Sequence, residues 1–302
     1  MPSLWEILRV LIEFIPQVFI LYFLLSILEK SGLLAQIARV LHLPMENVLP
    51  ICLTFNCTTM AVCAMRSHTQ RKRLVHFLSL IPCTAQLPML TFLLFTVLRF
   101  PFWSIIIVYL ICIILGIIVV MLVPKTFHES ESNKIIKLSF PNLWKCLSDT
   151  ARQTLIFAKK ILIAFSVSAF VIVFLARFSF NWEFVSQPEQ SILFAICDVF
   201  APLFVPIGLN YPVLICALLF GIIAKEAAVS VLLFFPNFIK TLSIPVIISL
   251  ITFFALYPKC LAAQTAINQH CGFRIGVKVF CINLLLAYGL SFVVYTLCGI
   301  II

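Results

Sequence analysis

The segment Thr54-Phe55-Asn56-Cys57-Thr58-Thr59-Met60 places amide, thiol and hydroxyl side chains inside an otherwise apolar stretch, residues 48–64. A polar group without a partner in hydrocarbon costs several kcal/mol, so these side chains are expected to face protein or a polar cavity rather than lipid. A strongly basic turn, residues 66–73, follows, and the next apolar stretch carries Cys83 directly after Pro82. The pattern predicts interrupted helices in which a buried site uses the polar side chains.

The composition of the whole chain is that of a polytopic membrane protein. Of the 302 residues, 63% are hydrophobic and 11% are charged, and the mean hydropathy is +1.17. Lys and Arg number 21 against 11 Asp and Glu. Because the basic residues cluster in short loops between apolar runs, the positive-inside rule explains them better than nucleic-acid binding does. The 12 cysteines lie singly, without the spacing of a disulfide framework or a zinc knuckle.

These features predict an all-α, multi-pass protein of a cell (inner or plasma) membrane, surrounded by membrane lipid and binding no nucleic acid. Residues 33–43 form an amphipathic stretch that is too polar to span and is expected at the interface or against the bundle, and residues 191–209 form another amphipathic stretch. If the basic loops 66–73 and 125–160 are cytoplasmic, the acidic loop 179–190 is external. The predicted spanning or polar-interrupted stretches are residues 11–28, 48–64, 74–98, 102–123, 161–176, 213–235, 244–267 and 277–297.

The same order of elements occurs twice: an amphipathic helix, a polar-interrupted segment and a span broken beside a proline. In this alignment Cys57 lies opposite Glu226, and Pro82 lies opposite Pro258. Paired broken helices in two halves of a membrane protein indicate a substrate site near the midplane, because interrupted backbone is tolerated there only where it lines a cavity. The predicted organisation is a first gate-type repeat at 1–123, a basic cytoplasmic loop with an amphipathic helix at 124–160, and a second gate-type repeat at 161–302.

At these residues the sequence resembles the membrane region of the ferrous iron transporter B family, whose two gate domains (nucleoside recognition domains) flank the iron path. Residues 16–32 resemble the family's first helix, and 196–209 its Ala-Pro-Leu element. The remaining matches are 54–60 to Gly-Phe-Gly-Cys-Asn-Val-Pro, Arg66 to the following arginine, 79–88 to Cys-Ser-Ala-Arg-Leu-Pro, 221–226 to Gly-x-x-Ala-Lys-Glu, and 256–260 to Tyr-x-Pro-Cys.

The chain also departs from the family pattern at defined positions. Thr54, Asn56 and Met60 stand in place of two glycines and a proline, Gln86 replaces an arginine, and Lys259 shifts the last cysteine by one position. The sequence contains no Gly-x-x-x-x-Gly-Lys-Ser/Thr loop, so we expect no GTP-binding domain in it. Nucleotide-driven gating would then need a separate protein. The expected partners are a cytoplasmic GTPase or a small Feo-type accessory protein, and a further copy of this chain in a homo-oligomer.

The repeat and the resemblance together imply a set of site residues. The implied metal ligands are Cys57, Cys83, Glu226 and Cys260, and the implied path or gating residues are Asn56, Thr58, Thr84 and Lys225. Thiolates suit ferrous iron, and charges inside a span default to a functional role. The competing interpretation is that the cysteines pack as small hydrophobes, while Lys225 snorkels and Glu226 caps a half-helix.

The function implied by the resemblance is a permease for divalent metal ions, ferrous iron first, with iron as the transported ion and no intrinsic cofactor. Two alternatives stay open: a gate-domain transporter for a nucleoside-like or other organic solute, and a non-transporting regulatory or assembly subunit of the membrane. An enzyme is not expected, since the five histidines are isolated and belong to no His-Glu-x-x-His motif or nucleophile elbow.

Overall fold

The structure is a computed structural model that describes most of the chain from residue 45 onwards. Among the described residues the secondary structure is helical, with one isolated antiparallel bridge between Phe178 and Phe184 and no strand. The described residues are 16, 19–20, 23, 26–27, 31, 45–55, 57–65, 68–123, 144, 146–148, 150–152, 154–155, 174–175, 177–179, 184, 191–223, 225, 228, 231–232 and 236–301.

The chain divides into two compact units, one made of residues 1–49 and 128–175 and the other of residues 50–127 and 176–302. In the first unit, Cys146, Thr150 and Thr154 are buried and helical, and their spacing of four residues defines one face of a helix. The predicted spans 11–28 and 161–176 and the amphipathic stretch 33–43 lie almost entirely outside the described residues. The boundaries of the two repeats stay a prediction.

The second unit holds almost all of the helices that the structure describes. In chain order the helices are α1 (Met45–Thr54), α2 (Thr58–Ala64), α3 (His68–Leu80), α4 (Leu87–Thr91), α5 (Ser104–Leu122), α6 (Ile192–Phe204), α7 (Pro212–Ile223), α8 (Pro236–Thr241), α9 (Ile244–Leu256), α10 (Leu261–Cys271) and α11 (Phe273–Ile301). Short 3-10 turns at Thr84–Gln86 and Val205–Ile207 and a π-helical segment at Phe92–Val97 extend the neighbouring helices. Helix α11 packs along α9 and α10, and α3 packs along α5.

Both predicted proline breaks are present. Helix α3 ends at Leu80, before Ile81-Pro82-Cys83, and α9 ends at Leu256, before Tyr257-Pro258-Lys259-Cys260. Proline has no N–H to continue the helical ladder, and it pushes the preceding residue towards extended backbone. Tyr257 accordingly has φ −52° and ψ 145°. The two breaks therefore follow directly from the local sequence.

Four described helices are long and apolar enough to cross a membrane: Lys72–Val97, Ser104–Leu122, Ile244–Cys271 and Phe273–Ile300. The first and the third contain the breaks, and a bent pair, Ile192–Ile207 with Pro212–Ile223 at 100°, makes a fifth if it counts as one span. Helix α5 presents a large exposed apolar face, including Ile107, Leu110, Ile114 and Met121. Such a face suits contact with lipid. The predicted polytopic all-α class is confirmed.

A tight turn ends the predicted amphipathic stretch 191–209. Ser191 accepts a hydrogen bond from the Phe194 N–H and so caps the first turn of α6. At the other end Gly208 takes the left-handed conformation, with φ 73°. A Cβ atom at this position would overlap the Tyr295 ring of α11. The turn thus requires glycine for two independent reasons, backbone conformation and close approach.

Buried polar side chains tie the long helices together. The Asn283 Nδ2 of α11 donates to the Ser79 carbonyl at 3.1 Å, and the Ser79 hydroxyl donates to Asn283 Oδ1 at 3.2 Å. The Ser291 hydroxyl donates to the Ser249 carbonyl at 3.2 Å, and the Ser249 hydroxyl donates to the Ile207 carbonyl at 2.6 Å. Interhelical bonds of this kind help membrane helices to associate, since lipid tails are as apolar as the side chains.

Candidate functional site at the helix breaks

Cys57 lies in the interruption between α1 and α2. Its backbone is extended, with φ −146° and ψ 115°, and its N–H donates to the Leu53 carbonyl at 2.8 Å. Thr54 and Thr58 flank it with only 0% and 2% of their surface exposed. Within the described residues, neither threonine hydroxyl has a hydrogen-bond partner. Two buried oxygen atoms beside a thiol are therefore available to a water molecule or a bound cation. Asn56 lies outside the described residues.

Cys83 begins the turn after the first proline break. Its side chain is buried, and its N–H donates to the Gln86 side-chain oxygen, Oε1, at 3.1 Å. The Cys83 Sγ lies 3.7 Å from the same oxygen. Thr84, the next residue, is exposed. The turn therefore directs the thiol inwards and the threonine outwards.

Gln86 and Lys259 join the two breaks to each other. Lys259 Nζ donates to the Ile81 carbonyl at 2.6 Å and to Gln86 Oε1 at 3.2 Å. Gln86 Nε2 donates in the opposite direction, to the Phe254 carbonyl at 2.7 Å and to the Ala255 carbonyl at 3.3 Å.

The backbone hydrogen bonds of α9 explain why Gln86 donates to the Phe254 carbonyl. The Phe254 carbonyl would ordinarily accept from the N–H four residues on, but that residue is Pro258, which has none. The Gln86 amide supplies the missing donor. Each break thus satisfies backbone groups that the other break leaves open.

Lys225 also anchors the second break. It is 1% exposed, and its Nζ donates to the Pro258 carbonyl at 2.7 Å. The ammonium lies 4.3 Å from the centroid of the Tyr257 ring and 5.3 Å from that of Phe254, within the range of cation–π attraction. Lys225 therefore lies within the protein and does not snorkel. Its predicted partner Glu226 is outside the described residues.

The three predicted cysteine ligands lie at three helix interruptions, all within the second compact unit. Cys57 precedes α2 and Cys260 precedes α10, and these two helices pack against each other; Cys83 Sγ lies 3.7 Å from Gln86 Oε1, which also accepts from Lys259, the residue before Cys260. In the described part of the chain, however, no three His, Cys, Asp or Glu side chains are grouped closely enough to hold a metal ion. The assignment of these cysteines as metal ligands stays a prediction.

Sequence reasoning missed Gln86 and Lys259 as contributors to this region. Cys112 of α5 is buried in the hydrophobic core, as expected of a cysteine that packs as a small hydrophobe. A signal existed for Lys259, since a charge inside a broken span is costly to bury. For Gln86 the only signal was a long polar side chain three residues after a Pro-Cys pair.

Spanning helices with paired breaks, and buried polar side chains that meet at those breaks, define the chain as a polytopic all-α membrane protein. Comparison with known proteins found no matching family model and no matching solved structure.

Several curated relatives share the name Fe(2+) transporter FeoB. The protein from Methanocaldococcus jannaschii is 27% identical over 314 residues, covering 93% of this chain and 47% of the relative. The protein from Staphylococcus aureus (strain COL) is 24% identical over 313 residues, covering 93% of this chain and 46% of the relative. The protein from Legionella pneumophila (strain Lens) is 27% identical over 248 residues, covering 73% of this chain and 32% of the relative. The similarity confirms the predicted resemblance and is consistent with membership of the ferrous iron transporter B family.

The chain spans about half the length of the first two of these relatives. The matched part includes the membrane segments described above, because the alignments with the archaeal and staphylococcal proteins cover 93% of this chain.

Proposed function

We propose that this protein moves a divalent metal cation, ferrous iron first, across a cell membrane through the region where its helix breaks meet. The observation that carries the proposal is that the two proline breaks meet through Gln86 and Lys259 beside Cys83 and Cys260, while two unpartnered threonine hydroxyls flank Cys57 in a third interruption. The names of the relatives support iron as the cargo.

The chemistry of the side chains suits ferrous iron as cargo. Thiolates are soft ligands that bind it once deprotonated, and the hydroxyls of Thr54 and Thr58 can replace part of its hydration shell. Glu226 would add a carboxylate, with Lys225 as its charge partner and gating residue. A pathway must bind its ion weakly enough to release it, so a sparse set of ligands fits a cargo that passes through.

The organic-solute alternative would require a roomy cavity with aromatic walls. Two aromatic rings at the second break, Phe254 and Tyr257, are buried and lie against the Lys225 ammonium. This arrangement favours the metal hypothesis. A separate cytoplasmic GTPase or a small Feo-type protein is proposed as the partner that supplies energy or control, with the basic turn 66–73 as a candidate docking segment.

The test is uptake of ferrous iron into proteoliposomes, compared with manganese and zinc under reducing conditions. We expect Cys57→Ser combined with Cys83→Ser to abolish iron uptake while the protein still inserts into the membrane. The matched control is Cys281→Ser with Cys298→Ser on α11, away from the breaks, and it should transport normally. Equal uptake by the two double variants would refute the assignment of Cys57 and Cys83 as metal ligands.

A further inference from the structure

Two buried thiols meet where α6 packs against α7. Cys197 Sγ lies 2.7 Å from Cys216 Sγ, and the two side chains are 0% and 3% exposed. In the described part of the chain, neither thiol belongs to a group of three or more His, Cys, Asp or Glu side chains that could hold a metal ion. The proposed ion path uses neither of them. Their contact therefore needs a separate explanation.

The packing of the two helices holds the thiols in place. Leu193, Cys197 and Ala201 are buried at a spacing of four residues, which defines one face of α6. In α7 the whole stretch 213–218, which contains Cys216, is buried. The bend of 100° between α6 and α7 brings these two buried stretches together. Both sulfur atoms thus belong to helices rather than to loops.

The sulfur–sulfur separation discriminates between the roles that the pair could have. The sulfur atoms of a disulfide are about 2.05 Å apart, so closing the bond needs a movement of less than about 1 Å. Two thiolates on one tetrahedral zinc ion, each about 2.3 Å from the metal, would lie roughly 3.8 Å apart. A hydrogen bond between two thiols contributes little stability, because S–H is a weak donor and sulfur a weak acceptor. The contact of 2.7 Å is closest to the geometry of a disulfide.

We propose that Cys197 and Cys216 are a covalent modification site, at which an intramolecular disulfide joins α6 to α7. The oxidant is a disulfide, either of a protein or of a small molecule. One thiolate attacks a sulfur of this oxidant to form a mixed disulfide, and the second thiolate then displaces the remaining half. The two cysteines together lose two protons and two electrons, and the oxidant leaves as two thiols.

The predicted topology places this pair near an oxidising compartment. The acidic loop 179–190 is predicted to be external, and α6 begins at Ile192, shortly after it. Cys197 lies in the second turn of that helix, roughly 8 Å along the axis from its start. Disulfides form and persist outside the cytoplasm, where thiols are not kept reduced. The bond would form during folding, before the two helices cover the sulfur atoms.

The disulfide would tie α6 to the second helix break. Helix α7 ends at Ile223, and Lys225 follows, with its Nζ donating to the Pro258 carbonyl at 2.7 Å. A cross-link between Cys197 and Cys216 also restricts the unfolded chain and so stabilises the bend between the helices. Any effect of this restriction on the movement of iron rests on the proposed function, whereas the disulfide itself does not.

The experiment maps disulfides in the full chain in membranes, untreated and after oxidation with diamide, whose N=N bond accepts the two electrons and two protons. Free thiols are blocked with N-ethylmaleimide, and chymotrypsin then cuts at Phe200, Phe204 and Tyr211, which separates the two cysteines. Mass spectrometry should find the pair Cys197–Cys216 at least about tenfold more often than any other cysteine pair, because these thiols are held together. Absence of this pair both before and after diamide would overturn the proposal.

Two controls test whether the folded structure directs the cross-link. Cys281 and Cys298 are separated by almost the same number of residues, but they lie on the continuous helix α11, roughly 25 Å apart along its axis. This pair should not form in the membrane. Protein unfolded in SDS before oxidation should lose most of the preference for Cys197–Cys216. A comparable yield of the α11 pair, or an unchanged preference in SDS, would overturn the proposal.

The stabilising effect is measured as the thermal midpoint of oxidised and phosphine-reduced protein in detergent. Oxidised wild type should unfold roughly 3–10 °C above the reduced form. Cys197→Ser combined with Cys216→Ser should not respond to the reductant, and the corresponding double alanine variant replaces it if it does not fold. Equal midpoints for oxidised and reduced wild type would refute the stabilisation of the bend. Iron uptake bears only on the proposed function, and the mapped cross-link bears only on this site, so either can fail alone.

Discussion

Replacing Gln86 with methionine should lower the free energy of unfolding by more than the loss of a single interhelical hydrogen bond does. Methionine is unbranched and of similar length, so packing is largely kept while all hydrogen bonds of the Gln86 amide disappear, including the one that it accepts from the Cys83 N–H. The Phe254 carbonyl loses the donor that stands in for the missing N–H of Pro258, and the Lys259 ammonium keeps one oxygen partner of two.

The magnitude follows from those two losses. Leaving a buried carbonyl unpaired costs roughly 1–3 kcal/mol, and a hydrogen bond to a charged group contributes about 1.5–3 kcal/mol. We therefore expect Gln86→Met to lower the free energy of unfolding by roughly 3–5 kcal/mol. Interhelical hydrogen bonds in membrane proteins average only about 0.6 kcal/mol, so the difference is measurable.

The assay is unfolding by SDS titration in mixed micelles, followed by circular dichroism. The matched control is Gln264→Met on α10, whose amide donates to the Gly276 carbonyl at 2.8 Å and, at the longer distance of 3.4 Å, to Asn268 Oδ1. It should cost about 1 kcal/mol. A Gln86→Met variant that unfolds with the same free energy as this control would refute the mutual support of the two breaks.

Three further predictions concern the fold. Gly208→Ala should lower the thermal midpoint by several degrees in detergent, because a Cβ would overlap the Tyr295 ring at a backbone φ of 73°; an unchanged midpoint would contradict the turn geometry. Asn283→Leu should cost about 1–3 kcal/mol in the SDS assay by removing both bonds to Ser79, and Ser79→Ala, which removes only the hydroxyl, should cost less. Ile114→Lys, at 56% exposure on the apolar face of α5, should reduce membrane insertion by about 2.5–3.5 kcal/mol of apparent free energy in a glycosylation-mapping assay, and normal insertion would mean that this face does not contact lipid.

The sequence alone was sufficient for the two proline breaks and for the four spanning helices that the structure describes, at residues 72–97, 104–122, 244–271 and 273–300. Both depend on local chemistry: apolar length sets the spans, and Pro82 and Pro258 lack the N–H that a continuous helix needs. The resemblance to iron transporters depended on the order of short motifs, and the curated relatives confirm it over 93% of the chain.

The bonds between the breaks could not be predicted in the same way. Gln86 and Phe254 are 168 positions apart, and Lys259 and Ile81 are 178 apart, so their pairing depends on how the helices pack. Lys259 was interpreted as a shift in a cysteine motif, whereas it is itself a buried hydrogen-bond donor. The hydrogen bond from Lys225 to the Pro258 carbonyl was likewise not predicted, while the pairing of Lys225 with Glu226, which lies outside the described residues, stays a prediction. These contacts depend on tertiary structure, which periodicity and motif spacing do not reveal.

The mutual bonds between the two breaks restrict how this protein can move. Two halves that rocked against each other as rigid bodies would have to separate Gln86 from the end of α9 and Lys259 from Ile81 together, exposing several buried polar groups at once. A cycle that avoids this cost keeps the paired breaks as its fixed axis and confines motion to the side chains and short links around them.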